Sequence, residues 1–220
     1  MKFMHPDFAA PFSFEGGGVC AYVFENPAYF RRMTGELIDQ LEGERGAFVL
    51  SGEDGELMEL GRNAELIFNP FRLPFEQTRI QSGLIKDLSE AAMGALREET
   101  MALFTGLGEF VRRCAEAFGE NLTMEETYDP APIFKAFRIR PEESGTLPER
   151  LLSYFHWSEK YNKKKLFVLP NLTAILSPAE LKLFHRNVLY EGFCVLLFES
   201  VARVPAFIPQ LVIDEDLCEI

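Results

Sequence analysis

The residues that could do chemistry in this sequence lie in two charged segments, and the first of them is acidic. Carboxylates recur between residues 116 and 129, at Glu116, Glu120, Glu125, Glu126 and Asp129. Clustered oxygen ligands on irregular backbone suit Ca²⁺, which accepts about six to eight oxygen atoms in flexible geometry. The spacing is not that of an EF-hand loop, so a solvated run of negative charge is the alternative interpretation.

The second charged segment is basic. Lys160, Lys163, Lys164 and Lys165 come directly before the apolar run Leu166–Leu169, which predicts a buried strand. Lysines that are gathered in this way can neutralise DNA phosphates. Lysines at the start of a strand also commonly serve only to protect a sheet edge. The four lysines are therefore candidate DNA-binding residues, with a solubilising role as the other interpretation.

The motifs for handling a nucleotide are incomplete. The sequence has no GxxxxGKS/T loop, whose backbone amides and lysine would hold phosphates. Gly16–Gly18 lacks that lysine and precedes a predicted strand, which indicates a turn. One buried strand ends at Glu199 and another is followed by Asn171, but neither has a matching catalytic loop. We therefore interpret Glu199 as a structural residue.

Signatures of metal-dependent and nucleophilic catalysis are also missing from the sequence. It contains no HExxH, no GxSxG and no CxxC pair. His156 and His185 fall within amphipathic helix patterns, which favours structural roles for both. These absences predict that no catalytic site is assembled, and the chain is expected not to be an enzyme.

Composition is typical of a globular protein in a reducing compartment. Apolar residues make up 47% of the 220 residues and charged residues 25%. Four scattered cysteines, the lack of a secretory leader pattern and the lack of a long apolar run predict a cytoplasmic location. The formal net charge of -12 argues against nucleic acid as a partner, unless basic side chains are segregated or a metal is bound.

Helices and strands must position these residues. In the N-terminal and middle parts of the chain, the spacing of apolar residues predicts where they lie. The N-terminal third predicts a strand over 19–24, a helix over 27–40, a hairpin around 52–55 and a strand over 64–68. From Gln77 to Phe118 apolar residues recur at helical spacing without proline, which predicts one very long helix or two. Gly106 and Gly108 are the predicted weak points. A short helix is predicted around 133–137.

The C-terminal third returns to alternating helices and strands. A helix is predicted over 147–161, and strands over 166–169, 193–198 and 211–213. Between the first two strands, Ser177 and Glu180 predict a capping box that starts a helix, and Gly192 predicts its end. A strand, a helix and a strand in this order predict a right-handed parallel β-α-β unit.

The order of these elements predicts an α/β fold with a parallel-containing sheet. A head domain would be built from both ends of the chain, residues 1–78 and 142–220. An α-helical leg domain, residues 79–141, would be inserted between them. The leg would then carry the acidic segment, and the head would carry the lysines.

The last third of the chain also carries a resemblance to a known family. The segment Tyr161–Asn171 (YNKKKLFVLPN) is similar to the lysine-run, buried-strand and asparagine segment of the subtype II-A CRISPR-associated adaptation proteins, the Csn-two family. The similarity continues through Leu176–Glu180, Val195–Glu199 and Ile213–Asp216. It covers Tyr161–Ile220 by residue and the N-terminal third by architecture only.

The resemblance implies a specific function. Proteins of that family have a head that resembles a degenerate nucleotide-hydrolase fold and a helical leg. They assemble into a tetrameric ring that accepts the ends of double-stranded DNA and binds calcium. They act in spacer acquisition, a step of antiviral defence, with the integrase proteins and the effector nuclease, and have no established catalytic activity. The resemblance places the candidate calcium ligands at Glu120, Glu125, Glu126 and Asp129.

Two other kinds of function stay open at this point. One is an enzyme of the same pathway, either a degenerate P-loop-like ATPase or a calcium-dependent nuclease. The missing phosphate loop and the missing metal-and-base cluster speak against it. The other is a protein-interaction scaffold that never contacts DNA.

Overall fold

Strands and helices alternate along the chain in the computed structural model, which describes residues 1–119, 122–125 and 127–220. The strands are β1 (Lys2–Met4), β2 (Phe12–Ser13), β3 (Gly18–Phe24), β4 (Val49–Ser51), β5 (Leu57–Met58), β6 (Ala64–Leu66), β7 (Leu166–Pro170), β8 (Cys194–Glu199) and β9 (Gln210–Ile213). The helices are α1 (Pro27–Leu41), α2 (Leu60–Asn63), α3 (Thr78–Met93), α4 (Arg97–Phe118), α5 (Ala131–Ala136), α6 (Leu147–Trp157) and α7 (Pro178–Glu191).

The chain divides into two units. The first combines Met1–Pro74 with Glu143–Ile220, and the second is Phe75–Glu142. The sequence placed the corresponding boundaries at residues 79 and 141. The lysines at 160–165 belong to the first unit, and the described part of the acidic segment belongs to the second.

The first unit contains a five-stranded parallel sheet in the order β6-β7-β8-β3-β9. β3 pairs with β8 from Gly18 opposite Cys194 to Val23 opposite Glu199, and with β9 on its other side. All seven residues of β3 are buried, as expected for a parallel strand that is covered on both faces. The predicted α/β fold with a parallel-containing sheet is therefore confirmed.

Alternate residues of these strands pack into two apolar layers. On one face, Tyr22 of β3 contacts Phe198 of β8 and Phe3 of β1. On the other face, Phe155 of α6 stacks on Phe167 of β7, with 4.1 Å between the ring centroids. Because successive side chains of a strand point to opposite faces, one continuous apolar strand supplies both layers.

A second sheet in the first unit is antiparallel, in the order β2-β1-β4-β5. It contains the predicted hairpin, in which Leu50 lies opposite Met58 and Ser51 opposite Leu57. Gly55 in the connecting turn has a φ of 82°, a conformation that glycine adopts without strain.

Helix α7 begins and ends where the sequence predicts. The Ser177 hydroxyl accepts the backbone N–H of Glu180 at 3.3 Å, and the Glu180 carboxylate accepts the backbone N–H of Ser177 at 2.8 Å. Such a cap stabilises a helix by about 1 kcal/mol. Gly192 follows the helix with a φ of 77°, and its N–H donates to the carbonyl of Val188. The strand, helix and strand that result place β7 beside β8 in parallel.

The second unit contains α3, α4 and α5, and the prediction that its long helix weakens at Gly106 and Gly108 is wrong. Both glycines lie inside α4, and the helices separate at Gly94. The buried Thr100 hydroxyl donates to the carbonyl of Ala92 at 2.9 Å, which satisfies an acceptor at the end of α3. A glycine inside a helix costs only about 1 kcal/mol, so α4 continues through Gly106 and Gly108.

The longest helix of the described residues is α4, with 22 residues. Neither it nor any other helix in the described ranges is both long enough and apolar enough to cross a bilayer.

The Gly16–Gly18 turn provides a test of close backbone packing. Gly17 has a φ of 97°, and a Cβ there would lie 2.5 Å from the carbonyl carbon of Gly192. We expect Gly17→Ala to lower the free energy of unfolding by more than the roughly 1–2 kcal/mol that a left-handed alanine costs by itself, because backbone must also move. Urea denaturation monitored by circular dichroism measures the loss.

Gly16→Ala is the matched control. Gly16 has a φ of 72°, but nothing lies within 4 Å of the position of its Cβ. This variant should lose only the free energy of unfolding that a left-handed alanine costs by itself. Equal losses in the two variants would contradict a tight contact between Gly17 and Gly192.

Candidate DNA-binding surface and metal-binding residues

The four candidate lysines follow α6, whose end is held to the sheet by one carboxylate. The helix starts with a capping box between Thr146 and Glu149. It ends at Trp157, whereas the sequence predicted that it would continue to Tyr161. Residues Ser158–Asn162 form a π-helical turn instead. Glu65 of β6 accepts hydrogen bonds from the hydroxyls of Tyr154 and Ser158. These bonds join the end of α6 and the start of the π-helical turn to β6, and Ser158 is fully buried there.

The first lysine after the turn, Lys163, has an unusual backbone conformation. Lys163 has a φ of 62°, in the left-handed region that residues other than glycine, asparagine and aspartate rarely occupy. Its ammonium donates to the carbonyl of Lys160 at 2.8 Å. The backbone N–H of Lys165 donates to the carbonyl of Asn63, which joins the run to the start of β6. Lys160, Lys163 and Lys165 are exposed.

Lys164 differs from its neighbours. It is half-buried, and its ammonium donates to the carbonyls of Gly61 and Ala64 at 2.6 and 2.9 Å. These two carbonyls lie at the junction of α2 and β6, so Lys164 joins that junction to the beginning of β7. The sequence interpretation grouped Lys164 with the candidate DNA-binding lysines, but its contacts are those of a structural residue.

Sequence reasoning missed the aromatic side chains beside the lysines. The rings of Trp157 and Tyr161 are stacked, and the ammonium of Lys160 lies over both. The signal was present in the sequence, because two aromatic residues four positions apart lie on the same side of a helix.

Two of the four candidate calcium ligands, Glu120 and Glu126, lie outside the described residues. Glu125 and Asp129 are both exposed. One carboxylate oxygen of Asp129 accepts the backbone N–H of Ala131 at 3.0 Å, at the start of α5. Nowhere in the described ranges do three His, Cys, Asp or Glu side chains come together in a group that could hold a metal. The described carboxylates do not by themselves form a calcium site.

Glu199, at the end of β8, is only 1% exposed and is held by the chain itself. Its carboxylate accepts the backbone N–H of Thr173 at 3.2 Å and the Thr173 hydroxyl. Burial raises the pKa of Glu199, and the hydrogen bonds from Thr173 and Leu172 oppose that shift. These hydrogen bonds join Glu199, at the end of β8, to the turn that follows β7.

Asn171 links the same two strand ends. It has a φ of 52°, and its side-chain oxygen accepts the backbone N–H and the hydroxyl of Ser200 at 2.9 and 2.8 Å. The polar groups at this edge of the sheet therefore bond to one another.

The connection from β3 to α1 is one place where a strand, loop and helix could cradle a phosphate. Here only Glu25 and Asn26 separate the two elements. The side-chain oxygen of Asn26 accepts the backbone N–H groups of Ala28 and Tyr29 at 3.0 and 3.1 Å. Its amide nitrogen donates to the carbonyl of Glu215. These N–H groups at the helix start already have a partner within the chain.

The three histidines are in separate places. His5 is buried, and its Nε2 lies 3.3 Å from a carboxylate oxygen of Glu36. His156 is exposed on α6. His185 is half-buried on α7, and burial lowers its pKa. None of the three belongs to a cluster of potential metal ligands within the described parts of the chain.

No known protein-family model matches this chain, and no curated protein matches it.

Glu199 gives a prediction about pH. Its raised pKa means that folding favours the protonated form, so this carboxyl group stabilises the fold fully at low pH. That stability is lost as the pH rises through the folded-state pKa. We expect Glu199→Gln, which stays neutral, to be more stable relative to the parent at about pH 8 than at about pH 4. Urea denaturation at both pH values measures the difference.

Glu191→Gln is the matched control, because Glu191 is exposed at the end of α7. A general effect of replacing Glu with Gln would appear equally in both variants. If Glu199→Gln had the same effect at both pH values, Glu199 would not be a buried group that folding favours in its protonated form.

Proposed function

We propose that this chain is a non-catalytic subunit of a tetrameric ring that binds the ends of double-stranded DNA, independently of sequence, during CRISPR spacer acquisition. Its proposed partners are the integrase proteins and the effector nuclease, and its proposed metal is calcium. The observation that supports the proposal most is the exposed run Lys160, Lys163 and Lys165, because it lies at the start of the segment that resembles the Csn-two family.

The clustering of three exposed lysines is what would allow an acidic chain to bind DNA. The net charge is -12, yet three exposed lysines lie within six residues of one another. Each lysine that neutralises a phosphate releases counterions from the DNA, which favours binding. In a ring, several copies would contact the same duplex, and the weak contacts would reinforce one another. Contacts to the phosphate backbone carry no sequence information, which fits sequence-independent binding.

The contacts of Asn26 and Glu199 weigh against the ATPase and nuclease alternatives. An ATPase would present the N–H groups at the start of α1 to phosphate, but Asn26 accepts hydrogen bonds from two of them. A nuclease would present a carboxylate to its metal or its water, but both oxygens of Glu199 accept hydrogen bonds from Thr173. Each group already has a structural role.

Charge reversal of the exposed lysines tests the DNA-binding surface. We expect Lys163→Glu combined with Lys165→Glu to weaken the binding of linear duplex DNA strongly, because phosphate contacts become repulsive. The slope of the logarithm of the binding constant against the logarithm of the salt concentration should become shallower by about one unit for each phosphate contact that is lost. Fluorescence anisotropy of labelled duplex over a range of salt concentrations measures both quantities.

The matched control reverses the same number of charges elsewhere, at Lys86 of α3 and Lys182 of α7, which are both exposed. This variant has the same net charge but should retain more affinity. A closed circular duplex should also bind less tightly than linear duplex of the same sequence at equal salt. Equal retention of circles and linear DNA would contradict end binding through a ring.

The calcium part of the proposal rests on the resemblance, and only Glu125 and Asp129 of its four carboxylates are described. If the acidic segment binds Ca²⁺, millimolar Ca²⁺ should raise the Tm of the parent protein by mass action. We expect Glu125→Gln combined with Asp129→Asn to remove most of that increase. Glu90→Gln, on α3, is the control and should retain it. An equal increase in Tm for all three proteins would exclude these two carboxylates as ligands.

A further inference from the structure

An aromatic pair lies at the surface beside the exposed lysines. The rings of Trp157 and Tyr161 are nearly parallel, with 5.8 Å between their centroids and an interplanar angle of 15°. The ammonium of Lys160 lies 4.9 Å from the centroid of Tyr161 and 6.0 Å from that of Trp157. Both rings are half-buried, and Lys160 is exposed. Flat apolar rings and positive charge are therefore presented together.

Buried hydrogen bonds hold the π-helical turn that follows Trp157 and carries Tyr161. Ser158 is fully buried, and its hydroxyl donates to the carboxylate of Glu65. The side-chain amide of Asn162, also buried, donates to the Ser158 hydroxyl at 3.2 Å. A surface that is already ordered loses little conformational entropy when a ligand binds to it.

We propose that Trp157 and Tyr161 stack on unpaired bases at the end of the bound DNA, while Lys160 and Lys163 contact the adjoining phosphates. This inference rests on the proposed function and deepens it, because it names the part of the DNA that this surface recognises. The ligand is a duplex end with a short single-stranded overhang or a frayed terminal pair.

Two physical arguments favour this ligand. Aromatic side chains stack on every base, because each base has a π-face, so the contact does not require a particular sequence. Inside an intact duplex, the faces of the bases are covered by their neighbours, so only a terminal or unpaired base presents a free face. The lysines complement the charge of the phosphates that accompany such a base.

The protein contains one tryptophan, so its intrinsic emission reports directly on this surface. The probes are three duplexes of equal length: one blunt, one with a short thymidine overhang, and one whose overhang consists of abasic sites. We expect the thymidine overhang to quench the emission of Trp157 and to bind about tenfold more tightly than the abasic overhang. The abasic overhang carries the same phosphates, so this comparison isolates stacking from charge.

Substitutions separate stacking from a general loss of structure. Trp157→Leu combined with Tyr161→Leu, which removes both rings, should lower the affinity for the thymidine overhang to that for the abasic overhang. Trp157→Phe combined with Tyr161→Phe, which keeps both rings, should retain most of the difference. Affinities are measured by anisotropy of labelled DNA, and an unchanged circular dichroism spectrum shows that each variant is folded.

The outcomes distinguish this inference from the proposed function. If the parent binds all three duplexes equally, with salt-sensitive affinity and unchanged tryptophan emission, the stacking inference is wrong and the proposed DNA binding stands. If none of the duplexes binds at low salt, both are wrong. If the difference between overhangs persists in the variant that lacks both rings, the stacking inference is wrong and the bases are recognised elsewhere on the protein.

Discussion

The parallel pairing of β3 with β8 is the constraint on which the first unit depends. It joins residues near the beginning of the chain to residues near its end, from Gly18 opposite Cys194 to Val23 opposite Glu199. Both strands are almost wholly buried, and their alternate side chains supply the apolar layers on the two faces of the sheet. Because this pairing does not involve residues 75–142, a separate unit can occupy that stretch of the chain.

The surface proposed to contact DNA also depends on the parallel sheet. Glu65 of β6 accepts hydrogen bonds from Tyr154 and Ser158, which join the end of α6 and the start of the π-helical turn to the sheet. Lys164 then bonds to the carbonyls of Gly61 and Ala64. With the middle lysine of the run turned toward backbone carbonyls, the lysines on either side of it are left at the surface.

Much of the fold could be predicted because its signals are local. The buried strand at Leu166–Leu169, the hairpin around Gly55 and the capping box at Ser177 each depend on a few neighbouring residues. The position of the helix break at Gly94 was missed, and the bond from the buried Thr100 hydroxyl to the carbonyl of Ala92 beside that break is not visible in the spacing of apolar residues. A glycine alone does not carry that information.

The candidate site was predicted less completely, for a related reason. The lysine run can be read from the sequence, but the separate role of Lys164 depends on carbonyls about 100 residues earlier in the chain. Glu199 was interpreted as structural because no matching catalytic loop was found in the sequence, and its hydrogen bonds to Thr173 were not predicted. Its donor Thr173 lies on the turn after β7, which the pattern of apolar residues does not reveal.

The pairing of β3 with β8 has a consequence during synthesis on the ribosome. The last residue of β3 precedes the first residue of β8 by about 170 positions, which corresponds to roughly 10–35 seconds of translation at about 5–20 residues per second. Throughout that interval an entirely apolar strand lacks its neighbours. The apolar side chains of β3 therefore cannot be covered by the parallel sheet until β8 and β9 have been synthesised.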